Sequence, residues 1–316
     1  MSKLPLASAL CALSLLAGCY AEPSEETAAV LDAVSSTVSE PGDDEEDSAP
    51  SATPTPTPAP TATPEPDMTE EEALLALDSY LESLDGVVSV SCVRLSDGYT
   101  YEYNADCEYY TASLLKAPYA LWLAERADAD EIDLSTVLPA LDTAPAQTAQ
   151  DAIYSMISQS ANDAATQLYR VWPAYTESDF SQFLLDMGVD RPLNALSDET
   201  NIQGVFSSRD AVNILLAMED YFESDAPHAA ALKQAFLDAD HPMLESEYDM
   251  AKKYGSWEYA LHDMAIVYAD EPYCIAVLTS WGSAETDFPE PGTSRITEIG
   301  NLAADLMACA PVQAAA

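Results

Sequence analysis

Two blocks of strand-like alternation, held apart by a long stretch of helical pattern, constrain the fold of this chain more than any other feature. In the first block Val88, Val90 and Cys92 alternate, Asp97-Gly98 marks a hairpin turn, and Tyr99, Tyr101 and Tyr103 fall on one face of a second strand. The second block holds three strand-like runs, near Met250 to Tyr259, Met264 to Tyr268 and Tyr273 to Leu278, joined by connections too short for parallel crossovers. Between the blocks the apolar residues follow a helical period around Ala120, Ile153 to Ile157, Phe180 to Met187 and Ala211 to Phe222. A helix opens the region, with Thr69 and Glu72 at capping-box spacing, a stripe of Leu74, Leu77, Leu81 and Leu84, and Gly86 as its stop; another closes it from about Thr293 to Met307. The expected class is α+β: an antiparallel five-stranded sheet flanked by helices, with an inserted all-helical lobe.

Everything before this region reads as address and spacer. Lys3 precedes an apolar run from Leu4 to Leu16 that is too short to span a bilayer, as in a signal peptide. Leu16-Ala17-Gly18-Cys19 resembles the lipobox of bacterial lipoproteins, which implies acylation at Cys19; ordinary cleavage near Ala21 is the alternative. From residue 20 to 68 the chain is acidic and rich in Pro, Ser and Thr, as in Thr53-Pro54-Thr55-Pro56-Thr57-Pro58, and has too few large apolar residues to fold. At ~3.1 Å per residue such a tether reaches up to about 150 Å. The expected organisation is therefore a signal peptide over 1–19, a tether over 20–68 and one domain over 69–316, placed outside the cytoplasm and held at the cell membrane by a lipid anchor only. No later segment is long and apolar enough to be a transmembrane helix.

A formal net charge of −44 argues against nucleic acid as a partner, because lysines and arginines must replace phosphate counterions. It argues equally against a polybasic membrane contact. In so acidic a chain, lysines set close to hydroxyl groups stand out. Ser113-Leu114-Leu115-Lys116 puts a hydroxyl and an amine on one helix face, so that a desolvated amine can activate the serine; a serine cap beside a solvated lysine is the plainer alternative. Ser160-Ala161-Asn162 falls between two helical runs, and Lys253-Tyr254-Gly255-Ser256 lies on a strand whose edge can offer N–H groups. Taken singly, each reads as a helix cap or a strand bulge.

In order, these three clusters match S-x-x-K, S-D-N and K-T-G, the motifs of class A β-lactamases and penicillin-binding proteins. The chain resembles that family also at Tyr110-Thr111-Ala112, at His262-Asp263-Met264-Ala265-Ile266-Val267 and at Arg295-Ile296-Thr297-Glu298-Ile299-Gly300, so the likeness runs from about Thr69 to the end. It implies a serine hydrolase that works through an acyl-enzyme on β-lactam amides, or on D-alanyl peptides of peptidoglycan, without cofactor or metal and as a monomer. A noncatalytic penicillin-sensing lipoprotein is the alternative from another class. By the same resemblance Ser113 is the nucleophile, Lys116 the activating amine and Ser160 the proton relay. Asn162 would hold the substrate amide, Lys253 would attract the substrate carboxylate, Gly255 would lie on the same substrate-binding strand, and the N–H groups of Ser113 and Ser256 would form the oxyanion hole.

The sequence departs from the family in several places. Ala161 replaces an aspartate, and Tyr254 stands where a small hydroxyl residue helps to hold a carboxylate. Asp190-Arg191-Pro192-Leu193-Asn194 is the nearest match to the deacylation motif E-x-x-L-N, with a side chain one methylene shorter. Pro118 is expected to bend or restart the nucleophile helix. His228, His241 and His262 are too scattered for a zinc site. Cys92, Cys107, Cys274 and Cys309 allow three disulfide pairings. The resemblance implies Cys92 with Cys274, on strands it places side by side; buried thiols are the alternative.

Overall fold

The computed structural model describes residues 68–174, 179–190 and 204–311; the signal segment, Cys19, the tether and Arg191 to Asn194 lie outside the described residues. Helix α1 (Glu70–Ser83) opens the domain on the expected capping box: the Thr69 hydroxyl accepts from Glu72 N, and the Glu72 carboxylate accepts from Thr69 N. Its buried face is Ala73, Leu77 and Leu81. Strands β1 (Val88–Arg94) and β2 (Thr100–Tyr103) follow as a hairpin, then β3 (Tyr109–Tyr110) and a 3₁₀ turn, Ala112–Leu115. The helical lobe comprises α2 (Lys116–Asp128), a small hairpin of β4 (Val137–Leu138) and β5 (Gln147–Thr148), α3 (Ala149–Ser158), α4 (Asn162–Val171) and α5 (Asp179–Asp186), then β6 (Val205–Phe206), which pairs with β3, α6 (Ser208–Phe222) and α7 (Ala229–Leu237). Strands β7 (Met250–Trp257), β8 (Ala260–Val267) and β9 (Tyr273–Thr279) and helix α8 (Gly292–Cys309) complete the chain.

The main sheet has five antiparallel strands in the order β2-β1-β9-β8-β7, so the class is the expected α+β. One sheet face packs on α1 and α8 through Val90, Leu261, Ala265, Val277, Ile296 and Ile299. The other packs on the helical lobe through Met264, Ile266, Ala276, Leu278, Ile214 and Leu215. Strand β7 is an edge, with one side unpaired.

Two expectations need correction. The strand expected from Met264 begins at Ala260, because His262 and Asp263 are buried strand residues whose polar atoms find partners, not breakers at its start. Cys92 and Cys274 are free thiols. Their strands are adjacent, but the register sets Cys92 opposite Ile275 and Cys274 opposite Val93. Because side chains alternate along a strand, that one-residue offset sends the two sulfurs to opposite faces, Cys92 towards α1 and α8 and Cys274 towards the helical lobe.

Candidate active site

Ser113 lies in the 3₁₀ turn that leads into α2, and the turn is pinned from three sides. Leu114 and Leu115 are fully buried beneath it. Lys116 then begins the α-helix proper, so Pro118 falls in the first turn, where a missing N–H costs no helical hydrogen bond. Before the turn, Ala112 is held at φ +46°, a left-handed conformation that costs a non-glycine residue roughly 1–2 kcal/mol and is sustained only by its surroundings.

The third side is strand β7. A Cβ on Gly255 would stand 2.7 Å from the Thr111 carbonyl oxygen and 3.0 Å from Leu114 N, so only glycine lets the edge strand lie directly against the nucleophile turn. His262 supports the same segment from β8: its Nδ1 accepts from Thr279 N at 3.0 Å, which leaves Nε2 protonated to donate to the Tyr110 carbonyl at 2.9 Å.

Burial lowers the His262 imidazole to about 4, with its hydrogen bond to the Tyr110 carbonyl opposing, so it folds as the neutral form. An unfolded histidine takes up a proton near pH 6.5, and the buried ring resists it down to about 4, so this residue withdraws stability as pH falls through that window. The expected loss is about 2 kcal/mol between pH 7 and pH 4.5. Asp263, whose carboxyl burial raises to about 8, acts in the opposite sense over the same range. Urea unfolding of wild type and His262→Gln at both pH values isolates the imidazole, and an equal pH response in the two proteins would contradict the buried neutral ring.

The second motif is delivered by the α3–α4 junction. Helix α3 ends at Ser158, Ser160 adopts φ +56°, and Asn162 starts α4, so both side chains turn back over α2. Lys116 Nζ donates to the Ser160 carbonyl at 2.6 Å and to Asn162 Oδ1 at 2.7 Å, with Ser160 Oγ at 3.4 Å. Lys253, from β7, donates to the same Ser160 Oγ at 2.8 Å and to the Tyr254 carbonyl at 2.7 Å. The Ser160 hydroxyl therefore bridges two amines. Ser113 is partly exposed beside this cluster, and among the described residues its hydroxyl makes no hydrogen bond. Ser256 Oγ, one residue past Gly255, is buried without a partner among the described residues.

Two lysines buried without a hydrogen-bonded carboxylate carry a large desolvation cost in their charged forms. Burial brings the Lys116 amine down to about 8, partly offset by Asp287. Lys253 lies well below the usual lysine range, first through burial and then through Lys116 beside it, with Asp263 and Asp287 opposing. A depressed amine that shares a hydroxyl with a second amine is an arrangement able to pass a proton to or from a nearby serine. Sequence reasoning missed Asp287. It is an acidic residue on a polar loop, and only its position near both lysines singles it out. Asp190, by contrast, has an exposed side chain and donates its backbone N–H to Asp210 Oδ1 at 3.2 Å.

This arrangement agrees with independent comparisons. The model of the beta-lactamase enzyme family matches residues 72–307. Among solved structures, the chain is similar to the TLA-1 extended spectrum beta-lactamase, at 16% identity and a TM-score of 0.64, covering 76% of this chain and 100% of that one. It is similar to a beta-lactamase from Chitinophaga pinensis, at 19% identity and a TM-score of 0.61, covering 74% and 98%. A third is a mutant of PBP-A in an acyl-enzyme complex with penicillin G, at 15% identity and a TM-score of 0.62, covering 73% and 94%. At these identities the solved structures show a shared fold. A search of the curated proteins returns no match. With the family model spanning the sheet, the helical lobe and all three polar clusters, the chain belongs to the beta-lactamase enzyme family.

Proposed function

We propose that this protein is a serine hydrolase whose Ser113 attacks a strained or activated amide to give an acyl-enzyme, with β-lactams as the reference substrate class. The observation that carries the reading is the Lys116–Ser160–Lys253 chain beside Ser113, in which one hydroxyl joins two desolvated amines. In the reaction Ser113 Oγ bonds to the carbonyl carbon as its proton passes to the relay. The resulting oxyanion is held by N–H donors at Ser113 and Ser256, and Ser160 returns a proton to the departing nitrogen. Asn162 holds the acyl amide, and water then cleaves the ester.

Asp190 favours a second reading within the same chemistry. Its side chain is one methylene shorter than the glutamate of the deacylation motif and is exposed, and on this reading deacylation is slow, as suits a D,D-peptidase or a penicillin-binding sensor. We further propose, from the sequence alone, a lipid anchor at Cys19 and the tether over 20–68, which would place the domain outside the cytoplasm.

The test is intact mass spectrometry of the purified protein with benzylpenicillin. An adduct on the Ser113 peptide that forms and then decays with product release marks a hydrolase. One that persists marks the slow-deacylating alternative. With no adduct at Ser113 from this compound or from reactive D-alanyl thioesters, the acyl-enzyme reading fails.

A further inference from the structure

We propose that Tyr254, Phe288 and Asp287 tune the Ser113 site towards acyl donors that carry no negative charge on the side facing β7. This rests on the acyl-enzyme reading above and concerns its substrate class. The argument begins with the donors of Lys253. A lysine side chain has three N–H groups when charged and two when neutral. On Lys253 two of them are spent within the protein, on Ser160 Oγ at 2.8 Å and the Tyr254 carbonyl at 2.7 Å. The Tyr254 ring lies over the same nitrogen, 4.4 Å from its centroid, and covers the remaining approach. The side chain is 1% exposed. The one lysine that β7 directs at the site is therefore sealed from an incoming carboxylate.

That ring is held in place. Tyr254 packs on Phe288 with centroids 5.0 Å apart and on His241 at 5.0 Å, while Phe288 and His241 stack at 6.5 Å. A ring with aromatic neighbours behind it does not swing aside without losing those contacts. The phenol body also occupies the space beside Lys253, and its hydroxyl is engaged with Ser160.

The surrounding charge acts in the same direction. Asp287, next to Phe288, is exposed and close enough to favour the charged forms of both Lys116 and Lys253. Beyond Ser256, Trp257, Glu258, Glu285, Thr286 and Asp287 line a cleft of about 330 Å³. Three carboxylates and one indole, 62% exposed, form its walls. An anionic group in this cleft meets like charges, and none of the residues that line it is cationic, whereas an uncharged or cationic group meets a flat aromatic face and a favourable potential. The excluded charge lies on the substrate's own acyl-donor framework, so discrimination arises in the acylation step.

Benzylpenicillin and its methyl ester share the reactive amide and differ in this one charge. The rate of Ser113 adduct formation, followed by intact mass, is compared for the two compounds in the wild-type protein, Tyr254→Thr and Asp287→Asn. The ester is expected to react faster with wild type. Tyr254→Thr uncovers one Lys253 donor and should shift the ratio towards the free acid by at least about tenfold. Asp287→Asn, an isosteric change at an exposed position, should shift it the same way by about threefold. If adducts form at Ser113 but wild type prefers the free acid, or neither variant moves the ratio by twofold, the specificity assignment is overturned while the acyl-enzyme reading stands. Absence of any Ser113 adduct from both compounds overturns the two together.

Discussion

Replacing Lys116 by alanine is expected to slow acylation of Ser113 by about 10³-fold and to remove the alkaline rise from its pH profile. On the proposed mechanism the amine acts in its neutral form, and burial lowers its pKa to about 8. The acylation rate should therefore climb close to tenfold per pH unit below about 8 and level off above it. The sign follows from which form is active: a base works deprotonated, so activity is lost as pH falls through the folded-state value. Lys116→Ala leaves the Ser160 carbonyl and Asn162 Oδ1 without this donor, and water can replace it beside the exposed Asn162. Stopped-flow acylation with a chromogenic cephalosporin between pH 6 and pH 10 checks both parts. Should the rise near pH 8 survive in Lys116→Ala, the base is another group, and Lys253, joined to Ser160 from the opposite side, is the next candidate.

Gly255→Ala should be nearly as damaging although it removes no functional atom. The new Cβ would stand 2.7 Å from the Thr111 carbonyl and 3.0 Å from Leu114 N, both backbone atoms that no side-chain rotation can clear. Relief requires β7 to move away from the nucleophile turn. That shift costs about 1–3 kcal/mol of stability by overpacking and displaces Ser256 and Lys253 relative to Ser113. A misplacement of about 1 Å between reacting groups can cost roughly 10²-fold. The expected outcome is a folded protein, lowered in thermal midpoint, whose acylation rate falls by about that factor. An unchanged rate in a folded Gly255→Ala variant would mean that the β7 approach to Ser113 is not needed for the chemistry.

Much of this architecture was legible in the residues. The capping box at Thr69 and Glu72 announced α1, the Asp97-Gly98 turn announced the β1–β2 hairpin, and the closing helix formed close to its expected range. These are local signals, written in residues a few positions apart. Helix α7 (Ala229–Leu237) has no such local signal: it is rich in alanine, whose small side chains carry little periodic contrast. Around Ser113 the helix α2 is buried on nearly every face, so no polar stripe marks its orientation.

The site divides along the same line. Sequence alone singled out the candidate residues, because Ser113-Leu114-Leu115-Lys116, Ser160-Ala161-Asn162 and Lys253-Tyr254-Gly255 are short motifs readable within a few positions. Only the tertiary structure decided how they meet. It gave both lysines to one Ser160 hydroxyl, laid the Tyr254 ring over Lys253, brought Asp287 near both amines and put Cys92 and Cys274 on opposite faces of the sheet. Hydrogen bonds, desolvation and strand register are set by neighbours distant in the chain, and no local pattern of residues encodes which of those neighbours will arrive.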